Sequence, residues 1–170
     1  WCRRAAERDP DNPGVTYRLG ECMMKQRDFT RADSLFARVL RSDTLAAPAH
    51  FYRGVIAEFD TDPYRAIYHY TQALCHDSSY SRAHYNLGLI LMNGEEYRAA
   101  ATHLRAAAIS DSSYSDAWSA LGLCYMRLRK FQAAYNSFAT ALRHTPSDAT
   151  AAHNLRILEA MHRDTAAQKL

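Results

Sequence analysis

The chain has 170 residues, of which 48% are hydrophobic and 23% are charged, and its formal net charge is +3. This composition is typical of a globular protein with an ordinary core, and so mild a charge gives no reason to expect nucleic acid as a partner. No run approaches the roughly 18 apolar residues of a membrane-spanning helix, so no membrane insertion is predicted. The basic cluster of Arg127, Arg129 and Lys130 is interpreted as a solvated helix end.

The cysteines bear on the compartment but do not fix it. Cys2, Cys22, Cys75 and Cys124 include no Cys-x-x-Cys pair, so we interpret them as small buried thiols. This pattern favours a reducing compartment such as the cytoplasm. The periplasm stays open, because the chain begins at Trp1 rather than Met and is expected to be cut from a longer sequence.

A 34-residue period runs through the sequence. The pentapeptide DSSYS stands at residues 77–81 and again at residues 111–115. Glycine, alanine and a large apolar residue recur with the same period, at Gly20, Gly54, Gly88 and Gly122, at Ala32, Ala66, Ala100 and Ala134, and at Phe36, Tyr70, Leu104 and Phe138. A period of about 20–50 residues indicates a repeat array.

Each repeat is predicted to form two helices joined by a turn, because its apolar residues are spaced by three and four. Asp28 is expected to cap the second helix of the first repeat. Asp62, followed by Pro63, is expected to cap the second helix of the second repeat. Asn93-Gly94-Glu95 is a turn signal in the third repeat.

The joints between repeats and the recurring glycines carry two further expectations. The serines of DSSYS are expected to cap the helices that follow, through Ser79 or Ser81 and through Ser113 or Ser115. Glycine inside a helix costs about 1 kcal/mol against alanine. We therefore expect it to permit a close helix approach, with the alanines twelve residues later facing it.

These residues resemble the tetratricopeptide repeat (TPR) family, a helix–turn–helix of 34 residues. The fourth repeat matches every hallmark, with Trp118, Leu121, Gly122, Tyr125, Ala134, Phe138, Ala141 and Pro146. The resemblance implies an all-α fold, a right-handed α-solenoid forming a single domain over residues 1–170. Its expected parts are the end of a preceding repeat at 1–12, repeats at 13–46, 47–80, 81–114 and 115–148, a capping helix at 149–162 and a tail at 163–170.

Several positions depart from the family pattern. Arg53 stands where a leucine-like residue is usual, and we expect it to lie along the surface in a salt bridge. His84 occupies an aromatic position of the third repeat. Arg156 replaces the glycine of the last helix, which therefore resembles the polar cap that a solenoid needs at its end.

No catalytic, metal or cofactor site is predicted. The sequence contains no glycine-rich phosphate loop and no His-x-x-x-His pair. Histidines do share repeat positions, but equivalent positions on neighbouring hairpins are separated by about one helix diameter, roughly 10 Å. Metal ligands must lie near 2 Å from the ion, so these histidines are not interpreted as a metal site.

A binding groove is the expected functional feature. Residues spaced by three and four on each first helix share one stripe, and in the family that stripe lines a concave groove. A surface bearing aromatic residues and methionine suits protein binding. In the alternative interpretation these aromatic residues pack between hairpins, Phe51 and Phe59 above all. The candidate groove residues are Tyr17, Arg18, Phe51, Tyr52, Val55, Phe59, Arg82, Tyr85, Asn86, Leu89, Met92, Leu123, Met126 and Asn154.

The resemblance implies a non-enzymatic scaffold or adaptor that binds a protein, as a peptide or a helix, in this groove. One family branch grips the terminal carboxylate of heat-shock chaperones through lysine and asparagine at two positions, where this chain has Tyr17 with Glu21 and Phe51 with Val55. That ligand is therefore not expected. Two alternatives stay open: a spacer or self-associating segment that uses the solenoid ends, and an accessory region of an enzyme.

Overall fold

The computed structural model describes residues 12–41 and 43–167. The chain divides into two compact units, Trp1–Ala83 and His84–Leu170. Every regular element in the described residues is helical, in the order α1 (Pro13–Lys25), α2 (Phe29–Val39), a 3-10 helix (Asp43–Leu45), α3 (Ala46–Phe59), α4 (Pro63–His76), α5 (Ser81–Asn93), α6 (Tyr97–Ser110), α7 (Ser115–Arg127), α8 (Phe131–His144) and α9 (Ala149–Ala167).

Helices that follow one another in sequence pack together within each unit. In the first unit α1 contacts α2, α2 contacts α3 and α3 contacts α4. In the second unit α6 contacts α7, α7 contacts α8 and α8 contacts α9. The boundary between the units falls within α5. The repeat boundaries and the single-domain organisation stay predictions.

The turns inside the hairpins share one backbone geometry. At the end of α3, the N–H of Thr61 bonds the carbonyl of Glu58 at 3.0 Å, and the N–H of Asp62 bonds that of Ala57 at 2.9 Å. This pair of bonds is the Schellman motif, which needs one residue in the left-handed region. Four residues spaced by 34 take that conformation, with φ between 56° and 61°: Arg27, Thr61, Glu95 and Arg129.

The predicted helix caps are partly confirmed. The side chains of Asp28 and Asp62 accept hydrogen bonds from the first turns of α2 and α4, and Pro63 begins α4. The serine caps predicted for the second DSSYS copy are wrong. Tyr114 stands at the N-cap of α7 without a side-chain bond, and the hydroxyl of Ser115 instead donates to the carbonyl of Ala141 at 3.1 Å.

Aspartate organises the DSSYS turns, and the serines donate to it. Asp77 accepts the backbone N–H of Ser79 at 2.9 Å and its hydroxyl at 2.7 Å. Asp111 accepts the same two groups of Ser113 at 3.0 and 2.6 Å. The two copies of the pentapeptide thus build the same aspartate-centred turn.

The recurring glycines do permit close packing, but the residue that faces each one is not the predicted alanine. A Cβ atom on Gly122 would lie 2.6 Å from the ring of Phe138, and one on Gly54 would lie 2.5 Å from the ring of Tyr70. Phe138 and Tyr70 are both 0% exposed. Glycine therefore makes room for the large residue sixteen positions later, because that side chain crosses the hairpin and occupies the space a Cβ would need.

The salt bridge predicted for Arg53 is present. Its guanidinium bonds both carboxylate oxygens of Asp33, through Nε at 2.8 Å and a terminal nitrogen at 3.3 Å. Arg65 also contacts Asp33 at 3.3 Å. The arginine in the leucine-like position thus ties α3 to α2 by charge instead of by apolar packing.

The cysteines and the last helix correct two expectations. Cys124 is buried and Cys22 is half-buried, but Cys75 is exposed on α4. Helix α9 continues to Ala167, five residues beyond the predicted end at residue 162. Alanine has the highest helix propensity, and Ala166 and Ala167 extend the helix.

The predicted end of a preceding repeat rests on residues 1–11, and on Cys2, Ala5 and Pro10 in particular. These residues lie outside the described part of the chain, as do residues 168–170 of the predicted tail.

Candidate functional site

The first unit carries an aromatic cluster on its first helices. Tyr52 of α3 stacks on the buried ring of Phe36, with centroids 4.9 Å apart and an interplanar angle of 3°. Tyr17 of α1 meets Tyr52 edge-on at 5.9 Å. Both tyrosines are half-buried. One side of the cluster therefore belongs to the core, and the remaining part is open to a partner.

A carboxylate fixes the orientation of these rings. The hydroxyl of Tyr52 donates to Glu21 at 3.1 Å, and the exposed Arg18 contacts the other oxygen of Glu21 at 2.8 Å. Burial, together with the charge of Glu21, raises the pKa of Tyr17 and of Tyr52 above the ordinary value. The two phenols therefore stay protonated, and able to donate, throughout the physiological pH range.

Phe51 must be removed from the predicted groove. Its ring is 3% exposed and packs against Tyr80 and Tyr70, so it belongs to the core. The guanidinium of the exposed Arg82 lies over this ring, 4.5 Å from its centroid. This cation–π contact places a positive charge at the edge of the aromatic cluster.

The other candidates of the first unit keep exposed surface. Phe59 is 53% exposed, although one face of its ring stacks on Phe29 at a centroid distance of 4.4 Å. Val55 is half-buried on the same helix. The alternative interpretation, in which Phe59 packs between hairpins, therefore accounts for one face of its ring.

The second unit holds the remaining candidates. Tyr85 contacts Tyr114 with a centroid distance of 4.9 Å. The side-chain amide of Asn154 donates to the carbonyl of Thr150 at 2.8 Å, so part of its hydrogen-bonding capacity is used by its own helix. Half-buried positions are held by Tyr85, Asn86, Leu89, Met92, Leu123, Met126 and Asn154.

Histidine pairs are the feature that sequence reasoning missed. The Nδ1 atoms of His50 and His69 are 3.1 Å apart, and those of His84 and His103 are 3.0 Å apart. Each pair joins the two helices of one hairpin. The sequence signal was present, since two positions carry histidine in two consecutive repeats. The histidines pair across a hairpin, and not between equivalent positions of neighbouring repeats.

The chemistry of the His50–His69 pair is that of neutral imidazoles. At 3 Å one ring nitrogen must donate and the other must accept. Burial lowers the pKa of His50 and of His69 to about 4, and it also lowers the pKa of His103. Within the described residues no group of three or more potential metal ligands occurs.

No helix in the part of the chain that the structure describes is long and apolar enough to cross a membrane.

Comparison with protein families identifies the repeat. One model described as tetratricopeptide repeat matches residues 60–115 and 85–149, and a second model with the same description matches residues 2–50. The chain belongs to the tetratricopeptide repeat family. No curated protein sequence matches this TPR chain.

Solved structures agree with the family. YrrB, a TPR protein described as having an unusual peptide-binding site, is 20% identical with a TM-score of 0.78, covering 95% of this chain and 84% of YrrB. PilF of Pseudomonas aeruginosa is 24% identical with a TM-score of 0.75, covering 93% of this chain and 72% of that protein. The first TPR of Spaghetti bound to an HSP90 peptide is 20% identical with a TM-score of 0.65, covering 72% of this chain and 99% of the Spaghetti TPR.

These similarities confirm the predicted fold class, an all-α solenoid of helix–turn–helix TPR repeats. At identities below 25% they carry the fold alone, and no ligand residue is transferred from them to this TPR chain.

Proposed function

We propose that this TPR chain is a non-enzymatic interaction scaffold that holds a peptide or a helix of a partner protein against the first helices of its repeats. The observation that carries the proposal is the half-exposed stripe of aromatic residues and methionine on those helices. Tyrosine and methionine are enriched where proteins bind one another. The peptide-binding descriptions of YrrB and of the Spaghetti TPR support the same function.

The first unit offers a preorganised part of this surface. Tyr17 and Tyr52 are held by each other, by Phe36 and by Glu21. A ligand that packs on these rings orders few additional side chains, which lowers the entropic cost of binding. Arg82 adds a cation at the edge of the cluster, where it suits a carboxylate or carbonyl oxygen of the peptide.

The test is a selection followed by a binding measurement. Peptides are selected from a random phage-displayed library on the whole chain, and their affinities are measured by isothermal titration calorimetry. Arg82→Gln in the first unit and Met126→Gln in the second are suited to the test because neither removes a fully buried side chain. Tyr52→Ala is less suited, since the ring it removes stacks on Phe36.

We expect at least one of the two groove variants to weaken each selected peptide by about fivefold or more, corresponding to about 1 kcal/mol. Tyr64→Ser is the control, because Tyr64 is 83% exposed on α4, outside the stripe. Unchanged affinity in both groove variants, or failure to select any peptide, would contradict the groove proposal.

Self-association is a second candidate function, favoured by one observation. A cavity of about 620 Å³ opens between α8 and α9, where it is lined by Phe131, Tyr135, Leu158 and Met161 among others. Tyr135 is 37% exposed and Met161 is 41% exposed. Sedimentation velocity tests this candidate: a dimer that Tyr135→Glu converts to a monomer would support it, and a monomeric wild type would exclude it.

A further inference from the structure

An uncompensated basic surface lies in the second unit, away from the stripe of the first helices. Arg98 and Arg105 of α6 line a cavity of about 260 Å³ together with Lys130, which precedes α8. Thr102 and Tyr125 contribute hydroxyl-bearing side chains to its wall, and no carboxylate is among its described lining residues. We call this feature the basic cavity.

The three cations of the basic cavity form no ion pair within the part of the chain that the structure describes. None of the ion pairs found in the described residues includes Arg98, Arg105 or Lys130. In the first unit, by contrast, Arg53 and Arg65 share Asp33 and Arg18 pairs with Glu21. The positive potential of the basic cavity is therefore available to a ligand.

The repeat supplies an internal comparison that marks Lys130 as exceptional. Its position holds an acidic residue in the other three repeats, namely Asp28, Asp62 and Glu96. An acidic residue is favourable there, because the position immediately precedes a helix N-terminus with its positive partial charge. Asp28 and Asp62 accept cap bonds, whereas neither Glu96 nor Lys130 makes one. Lys130 therefore differs from all three counterparts in its charge, which is unfavourable beside a helix N-terminus.

The two arginines are specific to the same place. In the other repeats, the position of Arg98 holds Thr30, Tyr64 and Gln132. The position of Arg105 holds Ala37, Thr71 and Ala139. Cations therefore converge on one cavity from two consecutive repeats. Another cation, Arg127, precedes Lys130 by three residues in sequence, and its guanidinium lies 5.9 Å from the ring centroid of Tyr97.

We propose that the basic cavity is a second docking site, which takes an acidic segment of a partner protein, with glutamate or aspartate side chains paired to Arg98, Arg105 and Lys130. Charge complementarity supports this occupant, because arginine forms two parallel bonds to a carboxylate and three cations line the cavity. The site is independent of the groove function, since its three cations lie on a second helix and in a loop and none of its lining residues is a candidate groove residue.

The experiment measures binding of a fluorescein-labelled octapeptide rich in glutamate to the whole chain, by fluorescence anisotropy at low and high salt. A peptide with glutamine in place of each glutamate is the matched probe. The variants are Arg105→Gln and Lys130→Asp, which restores the acidic residue found in the other repeats. Arg156→Gln, which removes an exposed charge of α9 elsewhere in the same unit, is the matched control.

We expect the glutamate peptide to bind, the glutamine peptide not to bind, and salt to weaken the complex. Arg105→Gln should lower the affinity by about fivefold and the charge reversal in Lys130→Asp by about 20-fold or more. Lys130→Asp should at the same time keep or raise the melting temperature, because it creates a capping residue. Loss of binding without loss of stability separates docking from a structural role.

Three results would overturn the proposal. The first is equal affinity in wild type and both cavity variants, or no binding of the glutamate peptide. The second is an equal loss in Arg156→Gln, which would mean that only net charge matters. The third is binding of a single-stranded oligonucleotide more tightly than the glutamate peptide, or full displacement of that peptide by millimolar inorganic phosphate. Either result would assign the cavity to phosphate groups.

Discussion

The contact between Gly122 and Phe138 allows a sharp test of why glycine recurs inside these helices. A Cβ at residue 122 would lie 2.6 Å from Cε1 of Phe138 and 2.8 Å from two further ring atoms. Carbon atoms pack at about 3.5–4.0 Å, so Gly122→Ala requires the ring to move by about 1 Å. Phe138 is 0% exposed, which leaves little space for that movement.

Two opposing effects set the size of the change. Alanine favours the helix over glycine by about 1 kcal/mol, whereas overpacking a well-packed core costs about 1–3 kcal/mol. Because the ring is fully buried, we place the cost in the upper half of that range and expect Gly122→Ala to lower the free energy of unfolding by about 1–2 kcal/mol. For a chain of this size the melting temperature should fall by about 2–8 °C.

The assay is urea unfolding followed by circular dichroism, with Gly94→Ala as the control. A Cβ on Gly94 would meet only carbonyl oxygens, at 3.6 and 3.7 Å, so that variant should be as stable as wild type or slightly more stable.

A result of equal or greater stability for Gly122→Ala would refute the reasoning, because helix propensity alone predicts that outcome. The larger change Gly88→Leu brings the same test to the third repeat. Its Cβ would lie 2.7 Å from Cγ of Leu104, and the rest of the new side chain has to be placed as well. We expect a loss of several kcal/mol, which an unchanged melting temperature would contradict.

Three further predictions follow from the backbone, the histidines and the thiols. Thr61→Gly should raise the free energy of unfolding by about 1 kcal/mol in thermal or urea denaturation, because Thr61 is β-branched and has a φ of 56°; a loss would be inconsistent with strain there. The burial-lowered pKa of about 4 for His50 and His69 means that the unfolded chain binds more protons as the pH falls from about 6.5 towards 4. The melting temperature should decline over that window and level off above it, and His69→Gln should reduce the slope; a flat profile in wild type would count against neutral histidines. Burial raises the pKa of the Cys124 thiol to about 11. Ellman's reagent at pH 8 should therefore modify the exposed Cys75 much faster than Cys124. Cys75→Ser should remove the fast phase that belongs to Cys75.

Much of the fold could be predicted because the same few residues are required in every repeat. A glycine, an alanine and a large apolar residue at fixed spacing recur four times, and each recurrence strengthens the inference of one shared packing. The aspartate caps at residues 28 and 62 were equally accessible, because an N-cap depends on a side chain and a backbone group two or three residues apart. These aspartate caps were confirmed, whereas the serine caps of the second DSSYS copy were not, because the hydroxyls of Ser113 and Ser115 bond Asp111 and the carbonyl of Ala141 instead.

The candidate site was less accessible, because its properties depend on contacts between helices. Phe51 and Phe59 both belong to the predicted stripe, yet Phe51 is 3% exposed and Phe59 is 53% exposed. Nothing in the local sequence distinguishes them: Tyr80 and Arg82 cover the first ring, and they lie about thirty residues away in sequence. The facing partner of each glycine was missed for the same reason.

The sequence by itself determined the period, the helical class and the family. Those properties follow from spacing and from interactions within one or two turns of chain. Only the tertiary structure decided which side chain packs against each recurring glycine, that His50 contacts His69, and that Arg98, Arg105 and Lys130 line one cavity. The physical reason is that burial and electrostatic potential are set by side chains on different helices, whose approach depends on how each hairpin packs against the next.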